Sequence, residues 1–171
     1  AAKNGHKQIV KLLLDKGADV NAQGGRYGTA LQAASHGGHK GVAKVLLNRG
    51  ANVNAKGGYY SSAVYAASER GHKAVVQLLL DRGADVNAQG GWYGNALQAA
   101  SRGGYQVVVG LLLDNGAKVN LQGGDYGNAL QAASKGGHKA VVELLLNQGA
   151  DVNAQGGWYG NALQAASQGG Y

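Results

Sequence analysis

Histidines at positions 6, 39, 72 and 138 are the first residues here whose type could do chemistry, and they are separated by 33 residues or twice that. Imidazoles in register suggest a metal, but zinc holds its ligands about 2 Å from one ion. Side chains on successive stacked helices lie about 8–10 Å apart. Tyr105 and Tyr171 also fill this column, which would interrupt a ligand ladder. The column is read as a structural device at the start of a helix. Ser35 and His36 are adjacent, and aspartates occur, yet a catalytic triad needs one asymmetric constellation of nucleophile, base and orienting acid. Residues repeated at a fixed interval do not supply one, and His36 has no evident acid partner. The chain has no cysteine and no GxxxxGK[ST] loop, and its glycine-rich segments occur at every turn. Catalytic, cofactor and metal sites are therefore assigned to none of its residues, and the expectation is a non-enzyme.

Binding chemistry is better represented. Lys7, Lys40, Lys73 and Lys139 share another column, with Lys11 and Lys44 close by, and would form a ridge able to meet phosphate backbones. The formal charge of +7 lies entirely in residues 1–86, which hold twelve Lys and Arg against five Asp and Glu. A solvated helix face that keeps an alanine-rich chain soluble explains the same lysines, and nucleic acid is not the favoured partner. No apolar run approaches the roughly 18 residues of a membrane span, and residues 1–10 lack the apolar stretch of a signal peptide. The expected setting is inside the cell, in the cytoplasm, with no membrane partner.

The elements that position these columns follow from the period. Glycines 17, 50, 83, 116 and 149 mark a 33-residue repeat without insertions. A single domain over 1–171 then divides into a partial unit 1–20, full units 21–53, 54–86, 87–119 and 120–152, and a partial unit 153–171. Within a unit, Asn95 and its equivalents Thr29, Ser62, Asn128 and Asn161 are good N-caps for a short alanine-rich helix. After a glycine break a second helix follows, as from His138, with Val and Leu over about half its surface. The rest, such as residues 151–160, is an extended arm turning through a Gly-Gly pair. One unit cannot bury its own apolar faces, so neighbours must bury each other's.

Helix, tight turn, helix and protruding hairpin in 33 residues, with GH before the second helix and GADVNA after it, resembles the ankyrin repeat. That resemblance implies an all-α ankyrin-repeat solenoid of helix-turn-helix units with protruding β-hairpin loops. Two departures are consistent. Thr-Pro-Leu-His of the family is Thr29-Ala-Leu-Gln here, Ser62-Ala-Val-Tyr in the next unit and Asn-Ala-Leu-Gln from 95, 128 and 161. The glutamine amide is expected to replace the bracing histidine in part. Each hairpin carries Gly-Gly and then Tyr27, Tyr60, Tyr93, Tyr126 or Tyr159, which implies a stiffening tyrosine ladder. The form GGxYGNALQAAS further resembles the ankyrin arrays at the C-terminal ends of fungal NLR-like (NACHT or related STAND) proteins, where they are thought to recognise ligands. A consensus-engineered array is the competing origin. Neither end of the chain completes a unit, which is read as an excerpt of a longer array whose uncapped ends would allow end-to-end self-stacking.

The repeats disagree in two places. The hairpin tips carry Arg26, Tyr59, Trp92, Asp125 and Trp158, a range that no core position tolerates. The first helices end in His36, Glu69, Arg102, Lys135 and Gln168, again without shared chemistry. In ankyrin proteins tips and first helices line the concave side and carry partner contacts, so both columns, with Tyr65, are the candidate binding residues. Exposed Trp, Tyr and Arg are the types enriched in binding hot spots. At about 10 Å per unit, Trp92 and Trp158 would stand about 20 Å apart. The expected partner is a protein or peptide with two apolar groups flanking a cation, spanned by about six extended residues. The expected function is protein or peptide recognition, in one form as the ligand-sensing region of an NLR-like receptor. A basic scaffold for nucleic acid or another polyanion is the alternative.

Overall fold

The computed structural model describes residues 1–170, so Tyr171 and its place in the histidine column lie outside the described residues. The chain forms two compact units, Ala1–Asp85 and Val86–Tyr171. The first contains a 3-10 turn, Ala2–Asn4, then α1 (Lys7–Asp15), α2 (Ala30–His36), α3 (Lys40–Asn48), α4 (Ala63–Ser68) and α5 (Lys73–Leu80). The second contains α6 (Ala96–Arg102), α7 (Gln106–Asp114), α8 (Ala129–Gly136), α9 (Lys139–Asn147) and α10 (Ala162–Gly169). In the first unit α2 packs on α4 while α1, α3 and α5 form a second layer; in the other, α6, α8 and α10 stack and α7 packs on α9. This is the all-α architecture that the ankyrin resemblance implied.

Each first helix begins at the N-cap read from the sequence. The side chains of Thr29, Ser62, Asn95, Asn128 and Asn161 each accept from the backbone N–H three residues on, a contact worth about 1 kcal/mol. Alanines 34, 66, 67, 100, 132 and 133 are wholly buried, so the helices approach closely. In the outer layer Val42, Val75, Val108 and Val141, with Leu46, Leu79, Leu112 and Leu145, are buried at the same two positions of each repeat. Each such side chain contributes roughly 1.5–3 kcal/mol.

Three side-chain columns tie neighbouring repeats together. Gln32 Nε2 donates to the carbonyls of Ala55, Gly57 and Ser61 in the next hairpin, at 3.4, 2.9 and 3.0 Å. Gln131 repeats this with Ala154, Gly156 and Gly160, and Gln98 with Leu121, Gly123 and Gly127. The amide thus braces the following turn, as the loss of histidine there required. Asn21, Asn54, Asn87 and Asn120 donate to the carbonyls of Gly50, Gly83, Gly116 and Gly149, which accounts for the constant asparagine. The histidine column is the third: Nε2–H of His39, His72 and His138 donates to the carbonyl of Lys3, His36 and Arg102, at 2.8, 3.1 and 3.0 Å. Among the described residues no three of His, Asp or Glu converge on a metal-sized site.

One repeat departs from the glutamine brace, and it departs twice. Gly127 is left-handed at φ 80, and a Cβ there would overlap Gln131 Oε1. The same holds for Gly28 with Gln32, Gly94 with Gln98 and Gly160 with Gln164. In the remaining repeat Ser61 occupies this position at φ 62, the one positive-φ residue other than glycine among those described, and Tyr65 replaces the glutamine. The two changes are complementary, because the Cβ of Ser61 takes the space of the amide oxygen. Tyr65→Gln is therefore expected to cost more with Ser61 present than in the Ser61→Gly background, with a coupling of about 1 kcal/mol or more by urea unfolding of the four-member cycle. Additive effects would show the two positions to be independent.

Candidate functional site

The hairpins hold the tip residues by their backbones. Antiparallel bridges close Gly24 on Gly28, Gly57 on Ser61, Gly123 on Gly127 and Gly156 on Gly160. Successive tips are then bonded to one another: Tyr59 N–H donates to Arg26 O at 2.8 Å, Asp125 N–H to Trp92 O at 3.3 Å, and Trp158 N–H to Asp125 O at 2.6 Å. The side chains project from this backbone ladder. Trp158 is 82 % exposed, Trp92 56 % and Tyr59 49 %, Arg26 is exposed, and Asp125 is half-buried. In the first unit the tips satisfy each other in part, with the Arg26 guanidinium 5.3 Å from the centre of the Tyr59 ring.

The bonding corrects the spacing inferred from helix diameters. Standard bond lengths confine Cα atoms joined in this way to within about 7 Å, so Trp92 and Trp158 stand no more than about 14 Å apart along the ladder rather than about 20 Å. Helix packing sets the interval between helices, but carbonyl-to-amide contact sets it at the tips.

Behind the tips runs the tyrosine ladder. Tyr27 and Tyr60 stack at 5.7 Å in the first unit; in the second, Tyr93, Tyr126 and Tyr159 follow at 5.4 and 5.5 Å. The helix-end column, expected to be solvent-facing, is instead largely the ladder's second wall. His36 is only 9 % exposed, with its ring 5.4 Å from Tyr27 and 4.6 Å from Tyr60. Arg102 is half-buried over Tyr126, to whose hydroxyl its Nε–H donates at 3.2 Å. Lys135, also half-buried, lies 4.9 Å from the Tyr159 ring and donates to the Gln168 carbonyl. Glu69 is half-buried and Gln168 exposed. Tyr65, placed among the partner contacts by the sequence reading, is 1 % exposed and belongs to the core. It and His36 cannot meet a partner across the surface. What the sequence reading missed is the pairing of Ser61 with Tyr65, although the signal was present as two departures in the same repeat.

Burial, and the charges of Arg70, Lys3 and Arg26, lower the His36 pKa from 6.5 to about 4. The imidazole is neutral in the folded chain near pH 7. Because its folded pKa lies below the unfolded value, its contribution is complete above pH 6.5 and is lost as pH falls toward about 4. Glu69, whose pKa burial raises, acts in the opposite direction over the acid range. Comparison with His36→Gln isolates the histidine: between pH 7 and 4 the parent chain is expected to lose on the order of 2 kcal/mol more than the variant in urea unfolding. Parallel pH profiles would show that His36 is not held neutral.

On the outer layer Lys7, Lys40 and Lys73 are exposed, and Lys139 lies 3.6 Å from Glu143. Lys7, Lys11 and Lys44, with Asn48 and Arg49, line a groove of about 350 Å³ between α1 and α3. Arg49 is engaged by Asp15 at 2.7 Å. Among the described residues no helix is long and apolar enough to cross a membrane.

The comparisons with known proteins agree with this architecture. The family model described as ankyrin repeats (3 copies) matches residues 1–90 and 96–171. Among solved structures, the crystal structure of the human ASB11 ankyrin repeat domain is similar at 28 % identity and a TM-score of 0.85, over 97 % of this chain and 74 % of that one. No match is found among curated proteins. With the repeat, its braces and its hairpins in place and the family model covering nearly the whole length, the chain belongs to the ankyrin repeat family.

Proposed function

We propose that this chain is a single recognition domain for a protein or peptide, without catalysis of its own, and that the hairpin tips make the contacts. Ankyrin repeats are generally protein–protein interaction modules and typically non-enzymatic. The observation that carries the reading is the exposure of Trp92 and Trp158 on tips whose backbones are already bonded. A large aromatic kept in solvent on an ordered backbone loses little conformational freedom on binding, which is the condition for a hot spot. Arg26, Tyr59, Trp92, Asp125 and Trp158 are the primary contacts; Glu69, Arg102, Lys135 and Gln168 border them. The repeat form GGxYGNALQAAS supports a finer reading, in which the domain senses ligands in an NLR-like receptor in the cytoplasm.

Pull-down at moderate salt tests the tips. The parent chain is compared with one carrying Arg26, Tyr59, Trp92 and Trp158 all changed to Ala. Proteins held by the first and lost from the second are the expected result. Equal retention by both, above all of nucleic acid, would contradict it and favour the second reading, polyanion binding, whose supporting observation is the lysine-lined groove between α1 and α3.

A further inference from the structure

The second unit leaves its tips unsatisfied in a way the first does not. Trp92, Asp125 and Trp158 stand in one row, and Asp125 enters neither of the ion pairs found among the described residues, Arg49 with Asp15 and Lys139 with Glu143. A carboxylate between two exposed indoles, with no cation of its own, is complementary to a basic group flanked by apolar ones.

The interval along the row specifies more. The bonds from Asp125 to Trp92 and from Trp158 to Asp125 hold successive tip Cα atoms about 5–7 Å apart, between the spacing of paired strands and the limit set by bond lengths. In an extended strand, residues i and i+2 share a face and lie about 6.7 Å apart. The two repeats are nearly commensurate, and over two intervals the indole rings can absorb the difference of a few ångströms. An α-helix offers about 6 Å at i, i+4 and i+8, but it needs nine residues and an ordering cost that short isolated helices do not meet.

Resting on the tip reading above, we propose that the row Trp92–Asp125–Trp158 recognises a five-residue extended segment of a partner protein, with large apolar side chains at its first and fifth positions and Lys or Arg at its third. Trp92 and Trp158 take the two apolar side chains, and Asp125 pairs with the central cation. The second and fourth residues of the segment face away from the tips and are unspecified. The notional six-residue span of the sequence reading shortens to five because the tips are bonded together.

Phage-displayed random nine-residue peptides, selected on the full chain, test this. The same library is selected on Asp125→Lys, and the enriched peptides are re-assayed on the double variant Trp92→Ser/Trp158→Ser. All three substitutions lie on half-buried or exposed tip side chains, so folding is not at issue. The parent chain is expected to enrich apolar-x-basic-x-apolar sequences. Asp125→Lys is expected to replace the central basic residue by Asp or Glu while keeping the apolar spacing. The double serine variant is expected to retain the enriched peptides about tenfold less or worse. Enrichment that depends on the tryptophans but shows another spacing, such as i, i+4 and i+8, or no central charge, overturns the register and leaves the tip reading standing. A central preference unchanged by Asp125→Lys overturns the role of Asp125. Peptides held equally by the serine variant overturn the tip reading itself, and no enrichment overturns the proposal of a short extended ligand.

Discussion

Gln131→Leu is expected to destabilise the chain by about 3–4 kcal/mol, although leucine is similar in size and the site is buried. The amide holds four backbone groups at once. Its Nε2 donates to the carbonyls of Ala154, Gly156 and Gly160, and its Oε1 accepts from Asn128 N–H at 2.9 Å. Leucine orphans the Ala154 and Gly156 carbonyls, whereas the Gly160 carbonyl keeps the Gly156 N–H and the Asn128 N–H keeps the Tyr126 carbonyl. Each buried polar group so orphaned costs about 1–3 kcal/mol, less what water recovers at the partly buried carbonyls. The following hairpin loses its anchor, so the exposure of Trp158 should also change. Equilibrium urea unfolding, with tryptophan fluorescence as the probe, checks both effects. A loss below about 1 kcal/mol would show that the hairpin is held by its tip-to-tip bonds alone.

The contrast between braces and tips explains what could be read from the sequence. Helix boundaries, N-caps and the 33-residue stack were legible because Leu, Val and Ala recur at fixed intervals and because Asn, Thr or Ser precedes each first helix. The tip column was legible for the opposite reason, as Arg26, Trp92 and Asp125 share no environment a core could provide. The helix-end column misled because variation was taken for exposure. His36, Arg102 and Lys135 differ in charge, yet a neutral imidazole, a guanidinium and an ammonium can each pack on a tyrosine face, so burial there did not demand one residue type. Tyr65 was misplaced because its meaning lies in Ser61, four residues earlier. The tip spacing was out of reach, since helix diameters give no information on hydrogen bonds between hairpins.

The second large effect concerns recognition. Trp92→Ala combined with Trp158→Ala is expected to weaken binding of a partner captured by the chain by about 1,000-fold, from roughly 2 kcal/mol or more at each hot-spot tryptophan. Neither indole contributes to the core, at 56 % and 82 % exposure, so stability should change little. The lysines provide the opposing control. Lys40→Gln with Lys73→Gln removes two exposed charges from the outer layer, where a polyanion would bind and the proposed partner would not.

The most direct test of tip-based recognition is calorimetric titration of that partner into the parent chain, the double tryptophan variant and the double lysine variant, each at several salt concentrations. The account expects near-complete loss of affinity in the tryptophan variant, unchanged affinity in the lysine variant and a shallow dependence on salt. Retained affinity in the tryptophan variant, together with loss in the lysine variant and a steep fall with salt, would contradict it and place binding on the outer layer.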